Sequence, residues 1–231
     1  DTSWNPGANG RVLGMAASPD GSRLYVVGAF TEVAGLPRYR IAAFNTATGD
    51  LITNWTPGSN GVIYDVKATN SAVYVTGEFS NVGNTERARI AALNPVTGAV
   101  LPFAPVLAGG WGGRALEVSP DGNKIIVAGS FTTTNGSSTP GRGMAALSPS
   151  GDLLPWAVNN VIHNGGQNSS IYSLASDGDS VYGSGYDFGG DKQLDDWEGS
   201  FRADWSDGTM RWMEDCHGDS YSVYPHNGVL Y

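Results

Sequence analysis

The 231-residue sequence predicts an all-β fold, a β-propeller made of four-stranded blades. Three observations carry this. "YVVGAF" at 25–30 returns as "YVTGEF" at 74–79 and as "IVAGSF" at 126–131, at spacings of 49 and 52 residues. Turn glycines recur in register with these hexapeptides. No segment holds a helical period long enough to bury one face.

Aligning the chain on itself gives blades at 12–55, 62–103, 114–156 and 171–212, and a partial fifth at 221–231. Each copy reads as strands a to d. In the first, strand a is "VLGMAAS", b is "RLYVVGAF", c is "RIAAFN" and d is "DLITNW". The a–b connections ("SPDGS", "TNS", "SPDGN", "SDGDS") have hairpin-turn compositions. The c–d connections ("TATG", "PVTG", "PSG", "SDG") end in glycine, which supplies the positive φ of a tight turn.

The repeated residues have structural readings. Gly28, Gly77, Gly129 and Gly185 end strand b, where a Cβ is expected to crowd the neighbouring blade. Trp55, Phe103, Trp156 and Trp212 occur once per blade and read as wedges between blades. Arg40 and Arg89, just before strand c, read as ties between neighbouring blades. The chain opens on the end of a d strand and closes inside a b strand. About four and a half blades therefore predict a single propeller domain or a piece of a larger one, completed by the remainder of its own chain or by another chain.

Composition narrows the function. The net charge is −9 and the sequence pI about 4.6. No basic surface is expected to track phosphates, so nucleic acid and anionic membranes are excluded as partners. No window of about 20 apolar residues predicts membrane insertion. The one cysteine, Cys216, is a free thiol or half of a bridge whose partner lies outside these residues.

Catalytic signatures such as a G-x-S-x-G elbow, H-E-x-x-H or a P-loop are absent. The better guide is departure from the repeat. The d–a loops grow along the chain, from "TPGSNG" (56–61) through "APVLAGGWGG" (104–113) to "AVNNVIHNGGQNSS" (157–170). The fourth b–c loop, "DFGGDKQLDDWEG" (187–199), is long and acidic. Both kinds of loop emerge on one face of a propeller, where binding concentrates. Trp111, His163, Asn164, Gln167 and Trp197 are the expected ligand-binding set, because an aromatic beside amides suits a sugar. Asp187, Asp191, Asp195, Asp196 and Glu198 supply oxygen ligands that suit Ca²⁺, although a solvated acidic loop explains them equally. A second cluster is Glu214, Asp215, His217 and Asp219 beside Cys216, with metal binding, catalysis or a structural disulfide as its readings.

The units resemble the repeats of secreted actinobacterial β-propellers related to the delta-60 repeat. The residues that carry this are "VVGAFTEVAGLPRYRIAAFNTATG" (26–49), "VTGEFSNVGNTERARIAALNPVTG" (75–98) and "VAGSFTTTNGSSTPGRGMAALSPSG" (127–151). The resemblance covers about two thirds of the chain. It implies an exported, multidomain surface protein, and a partner for Cys216 in longer relatives. "TGDLITNW" (48–55) is also similar in part to the tryptophan-docking repeats of quinoprotein dehydrogenases. The expected function is a secreted or cell-surface binding or scaffold module for a glycan or protein. The alternatives are a polysaccharide hydrolase or lyase using Asp and Glu of the fourth blade, and a structural element of an extracellular assembly.

Overall fold

The structure is a computed structural model and describes residues 4–188, 197–215 and 218–231. Among them the secondary structure is β throughout, apart from one 3₁₀ turn at Ala157–Asn160. The chain forms two compact units, Asp1–Ala104 and Pro105–Tyr231. Each unit holds two antiparallel up-and-down blades, so the expected β-propeller architecture is what the chain adopts.

In the first unit, blade 1 pairs Val12–Ala17, Arg23–Gly28 and Ile41–Asn45. Blade 2 pairs Ile63–Ala68, Val73–Gly77 and Ile90–Leu93. In the second unit, blade 3 contains Gly113–Val118, Ile125–Gly129, Met144–Leu147 and Leu153–Leu154. Blade 4 contains Ser169–Ser176, Ser180–Asp187, Gly199–Asp204 and Met210–Asp215. The middle strands are buried on both faces, which is why they read as unbroken apolar runs such as Val73–Val75 and Ile125–Ala128.

The turns are fixed by short polar side chains. Asp20 accepts from the Ser22 N–H at 3.0 Å and from the Ser18 hydroxyl at 2.5 Å, while Ser18 Oγ accepts from the Arg23 N–H at 2.9 Å. Ser119 and Asp121 repeat this arrangement in blade 3. In the c–d turns, Asn45 Oδ1 accepts from the N–H groups of Ala47 and Thr48, and Asn94 does the same for Val96 and Thr97. These are Asx turns, in which the side chain substitutes for a backbone carbonyl.

Two expectations are corrected. First, the glycine that ends strand b is required by its own blade. A Cβ on Gly28, Gly77 or Gly129 would lie 2.0, 2.1 or 2.2 Å from the carbonyl oxygen of Arg11, Val62 or Gly112 respectively. Strand a bulges beside this glycine, between Val12 and Gly14 in blade 1, and brings its backbone close. Second, strand d is shorter than its pattern suggests. In blades 1 and 2 it contributes only the bridges Phe44↔Leu51 and Leu93↔Val100. Arg38 donates to the carbonyls of Ile52 and Thr53, and Arg87 to that of Leu101, so guanidinium groups take over where the ladder stops. The b–c loops of blades 1 and 2 are small hairpins, Glu32–Val33 with Leu36–Pro37 and Asn81–Val82 with Thr85–Glu86.

Each small hairpin bridges the preceding d–a loop, through Ala8↔Val33 and Ser59↔Val82. In the second unit Leu107–Ala108 pairs with Thr133–Thr134 in the same way. The two kinds of loop therefore share a face in each unit.

Candidate functional site

The long-loop region of the second unit starts at a glycine-rich hinge. Gly109, Gly110 and Gly112 all have positive φ, and a Cβ on Gly110 would lie 1.9 Å from the Ser130 carbonyl oxygen. That carbonyl also accepts from the Gly166 N–H at 2.7 Å, which draws loop 157–170 against loop 104–113. The Arg142 guanidinium fixes the same loop by donating to His163 O and Gly165 O, each at 2.7 Å. Trp111 is held by its N–H to Ser130 Oγ and presents its side chain to solvent.

Of the sequence-derived ligand set, Trp111 and Gln167 are exposed and His163 is half-buried. Asn164 and Trp197 have packing roles instead. Asn164 is fully buried, donates to Trp197 O at 2.6 Å and Tyr186 O at 3.2 Å, and accepts from Trp197 N–H. The Trp197 ring lies under Gly185 and donates to Glu214 O at 2.7 Å. Asn164 thus staples the d–a loop to strand b of blade 4 and to the b–c segment at Trp197 that leads into strand c. Its location on a loop was visible in the sequence; its burial was not.

Asp187 and Glu198 flank the acidic loop, with Glu198 Oε1 accepting from the Asp187 N–H at 3.1 Å. Asp191, Asp195 and Asp196 lie outside the described residues, as do Cys216 and His217. Among the described residues no cluster of three or more metal-ligating side chains occurs. Glu214 and Asp215 are exposed on the outer strand of blade 4, and Asp219 accepts from the Tyr221 hydroxyl at 2.6 Å.

The structure adds a group that the sequence reading missed. Tyr186 meets Phe188 at 4.8 Å, Tyr172 at 6.0 Å and Tyr221 at 6.1 Å between ring centroids, and Tyr172 meets Tyr221 edge-on at 5.4 Å. The Arg114 guanidinium stands 6.0 Å from the Tyr172 ring centre. Phe188 is 62% exposed and Tyr221 52%, so the cluster is a surface and not a core. Burial pushes the Tyr186 phenol above its ordinary pKa, and the hydrogen bond to Asp219 does the same for Tyr221. Both rings therefore remain neutral donors at ordinary pH. Arg114 follows Trp111 by three residues, and Phe188 N–H donates to Asn168 O beside Gln167. The cluster is thus tied to both long loops. One sequence signal was available: blade 4 replaces Gly-x-Phe with Gly185-Tyr186-Asp187-Phe188, moving the aromatic residue one position along.

A family described as a β-propeller domain of unknown function (DUF5122) matches residues 120–141, which run from within the "SPDG" turn of blade 3 through its Gly-x-Phe. Comparison with curated proteins finds no match. Among solved structures, hydrazine synthase of Kuenenia stuttgartiensis superposes with a TM-score of 0.51 at 15% identity, over 85% of this chain and 51% of that one. The chain thus spans about half the length of that structure's chain, and the likeness is one of fold.

Proposed function

We propose that the chain is a secreted or cell-surface binding module that recognises a neutral glycan through the aromatic surface of its second unit. The observation that carries this is the exposed set Tyr172, Phe188 and Tyr221 around the half-buried Tyr186, bordered by Arg114 and Asp219. Sugar rings present C–H faces that stack on aromatic rings, while their hydroxyls need donors and acceptors at the rim. The phenols, the guanidinium and the carboxylate supply both. A net charge of −9 repels polyanions at long range, which favours a neutral polymer. The resemblance to exported repeat proteins supports the extracellular setting.

Native affinity electrophoresis tests this, in gels cast with hydroxyethylcellulose, xylan, mannan or soluble starch and, separately, with alginate. The expected result is retardation by at least one neutral polymer and none by alginate. Unchanged mobility in every neutral gel would overturn the reading.

A further inference from the structure

The d–a loops enter their blades in one register, because Val12, Ile63 and Gly113 each pair with the glycine that ends strand b. Two residues before that pairing stand Gly10 in blade 1, Gly61 in blade 2 and Trp111 in blade 3. A Cβ on Gly10 or Gly61 would lie 2.8 or 2.7 Å from the Cα of Phe30 or Phe79, so both glycines are packed. The asparagine before each anchors the b–c loop. Asn9 accepts from the N–H groups of Thr31 and Glu32, and Asn60 from those of Ser80 and Asn81. Blade 3 gives up both residues. Gly110 replaces the asparagine, and Trp111 replaces the glycine and is 54% exposed. Among the described residues the Trp111 side chain makes no hydrogen bond and no ring contact, so the exchange adds nothing to the packing of the blade.

Two ties put Trp111 on the same surface as the aromatic cluster. Arg114, whose guanidinium stands 6.0 Å from the Tyr172 ring centre, follows Trp111 by three residues. The Cα atoms of residues 111 and 114 are therefore no more than about 11 Å apart. On the other side, Ser130 holds the Trp111 N–H through its hydroxyl and the Gly166 N–H through its carbonyl. The chain then runs through Gln167 to Asn168, whose carbonyl accepts from the Phe188 N–H at 2.9 Å. This 166–168 strip follows directly on the anchored Asn164 and Gly165. Gln167 and Asn168 are exposed, and among the described residues their side-chain amides have no hydrogen-bond partner.

We propose that Trp111 is a second stacking platform and that this surface binds several consecutive units of a glycan chain, with the Gln167 and Asn168 amides meeting hydroxyls between the platforms. The proposal rests on the neutral-glycan reading above. With the 166–168 strip between Trp111 and Phe188, one sugar ring cannot stack on both, whereas successive rings of one chain can. A side-chain amide both donates and accepts, so it satisfies a hydroxyl in either role. Two platforms on one rigid surface favour a long chain over a short one, because the second contact is made within a complex already formed.

Isothermal titration calorimetry of the 231-residue chain tests this, with a ladder of oligosaccharides cut from the neutral polymer that retards it in the gel. Affinity is expected to rise about tenfold or more from the shortest oligosaccharide that binds to the longest. Trp111→Ala should remove most of that rise, as for the loss of an aromatic anchor, and leave the affinity for the shortest unchanged. Trp111→Phe, which keeps an aromatic face, should restore most of it. Equal affinity along the ladder, a Trp111→Ala variant that keeps the rise or weakens short and long chains alike, or a Trp111→Phe variant no better than Trp111→Ala would overturn the proposal and leave the neutral-glycan reading standing. Failure of every neutral polymer to retard the parent would overturn that reading and this proposal with it.

Discussion

At the scale of residues, backbone crowding determines which glycines the blade needs. Gly28 has no room for a Cβ, because Arg11 O occupies that space, whereas Gly21 has open space and only an unfavourable φ of +69°. Gly28→Ala should therefore destabilise the protein by about 3 kcal/mol or more, as overpacking against rigid backbone does. Gly21→Ala should cost about 1–2 kcal/mol, the penalty for a left-handed residue with a side chain. Urea denaturation of the two variants checks the order, and equal losses would refute the crowding argument. Asp20 offers a pH test. The Ser18 hydroxyl and the Ser22 N–H hold its carboxyl at about 2, below its ordinary 3.8. A lowered folded-state pKa contributes stability above the unfolded value that is lost as pH falls through the folded one. Asp20→Asn should thus be less stable than the parent above pH 4, and the two should converge below pH 2. Acid titration of the melting temperature measures this. A difference that persists at the lowest pH would assign the effect to shape and not to charge.

At the scale of elements, blades are joined by aromatic wedges and basic side chains aimed at c–d turns. Trp55 is fully buried, stands 5.2 Å from the Tyr25 ring centre and caps the turn of blade 2. Trp55→Ala should cost about 3–5 kcal/mol. Trp55→Phe keeps most of the packing and removes one hydrogen bond, at about 1 kcal/mol plus the residual cavity. A chemical denaturation series that found the two variants equal would argue against the wedge. Trp55 and Trp156 were legible as wedges because an aromatic residue recurs once per blade after a turn glycine. Strand d was over-read: "DLITNW" has a strand's composition, but Thr53 and Asn54 turn the chain so that Trp55 enters the blade interface. That turn is set by the neighbouring blade and leaves no mark in the local pattern.

For the whole molecule, the repeat specifies the fold and its departures hold the candidate site. The fold was legible because glycines, turns and apolar runs are periodic along the chain. The loops at 104–113, 157–170 and 187–199 were legible as departures from that period. The aromatic cluster was not, because Arg114, Tyr172, Tyr186 and Tyr221 come from separate strands and loops and meet only on folding. Asn164 and Trp197 illustrate the converse, polar and aromatic loop residues that the folded chain uses internally. If periodic residues maintain the fold and the non-periodic aromatics bind, the two properties should separate under mutation. The most direct measurement is affinity electrophoresis of a Phe188→Ala, Tyr221→Ala double variant beside its parent, in the neutral polysaccharide that retards the parent. Retardation should weaken about tenfold or more, as when stacking anchors are removed, with the melting temperature within about 4 °C of the parent's, the shift expected for a loss near 1 kcal/mol. Undiminished retardation, or a loss of binding that appears only with a collapse in melting temperature, would contradict a binding role for this surface.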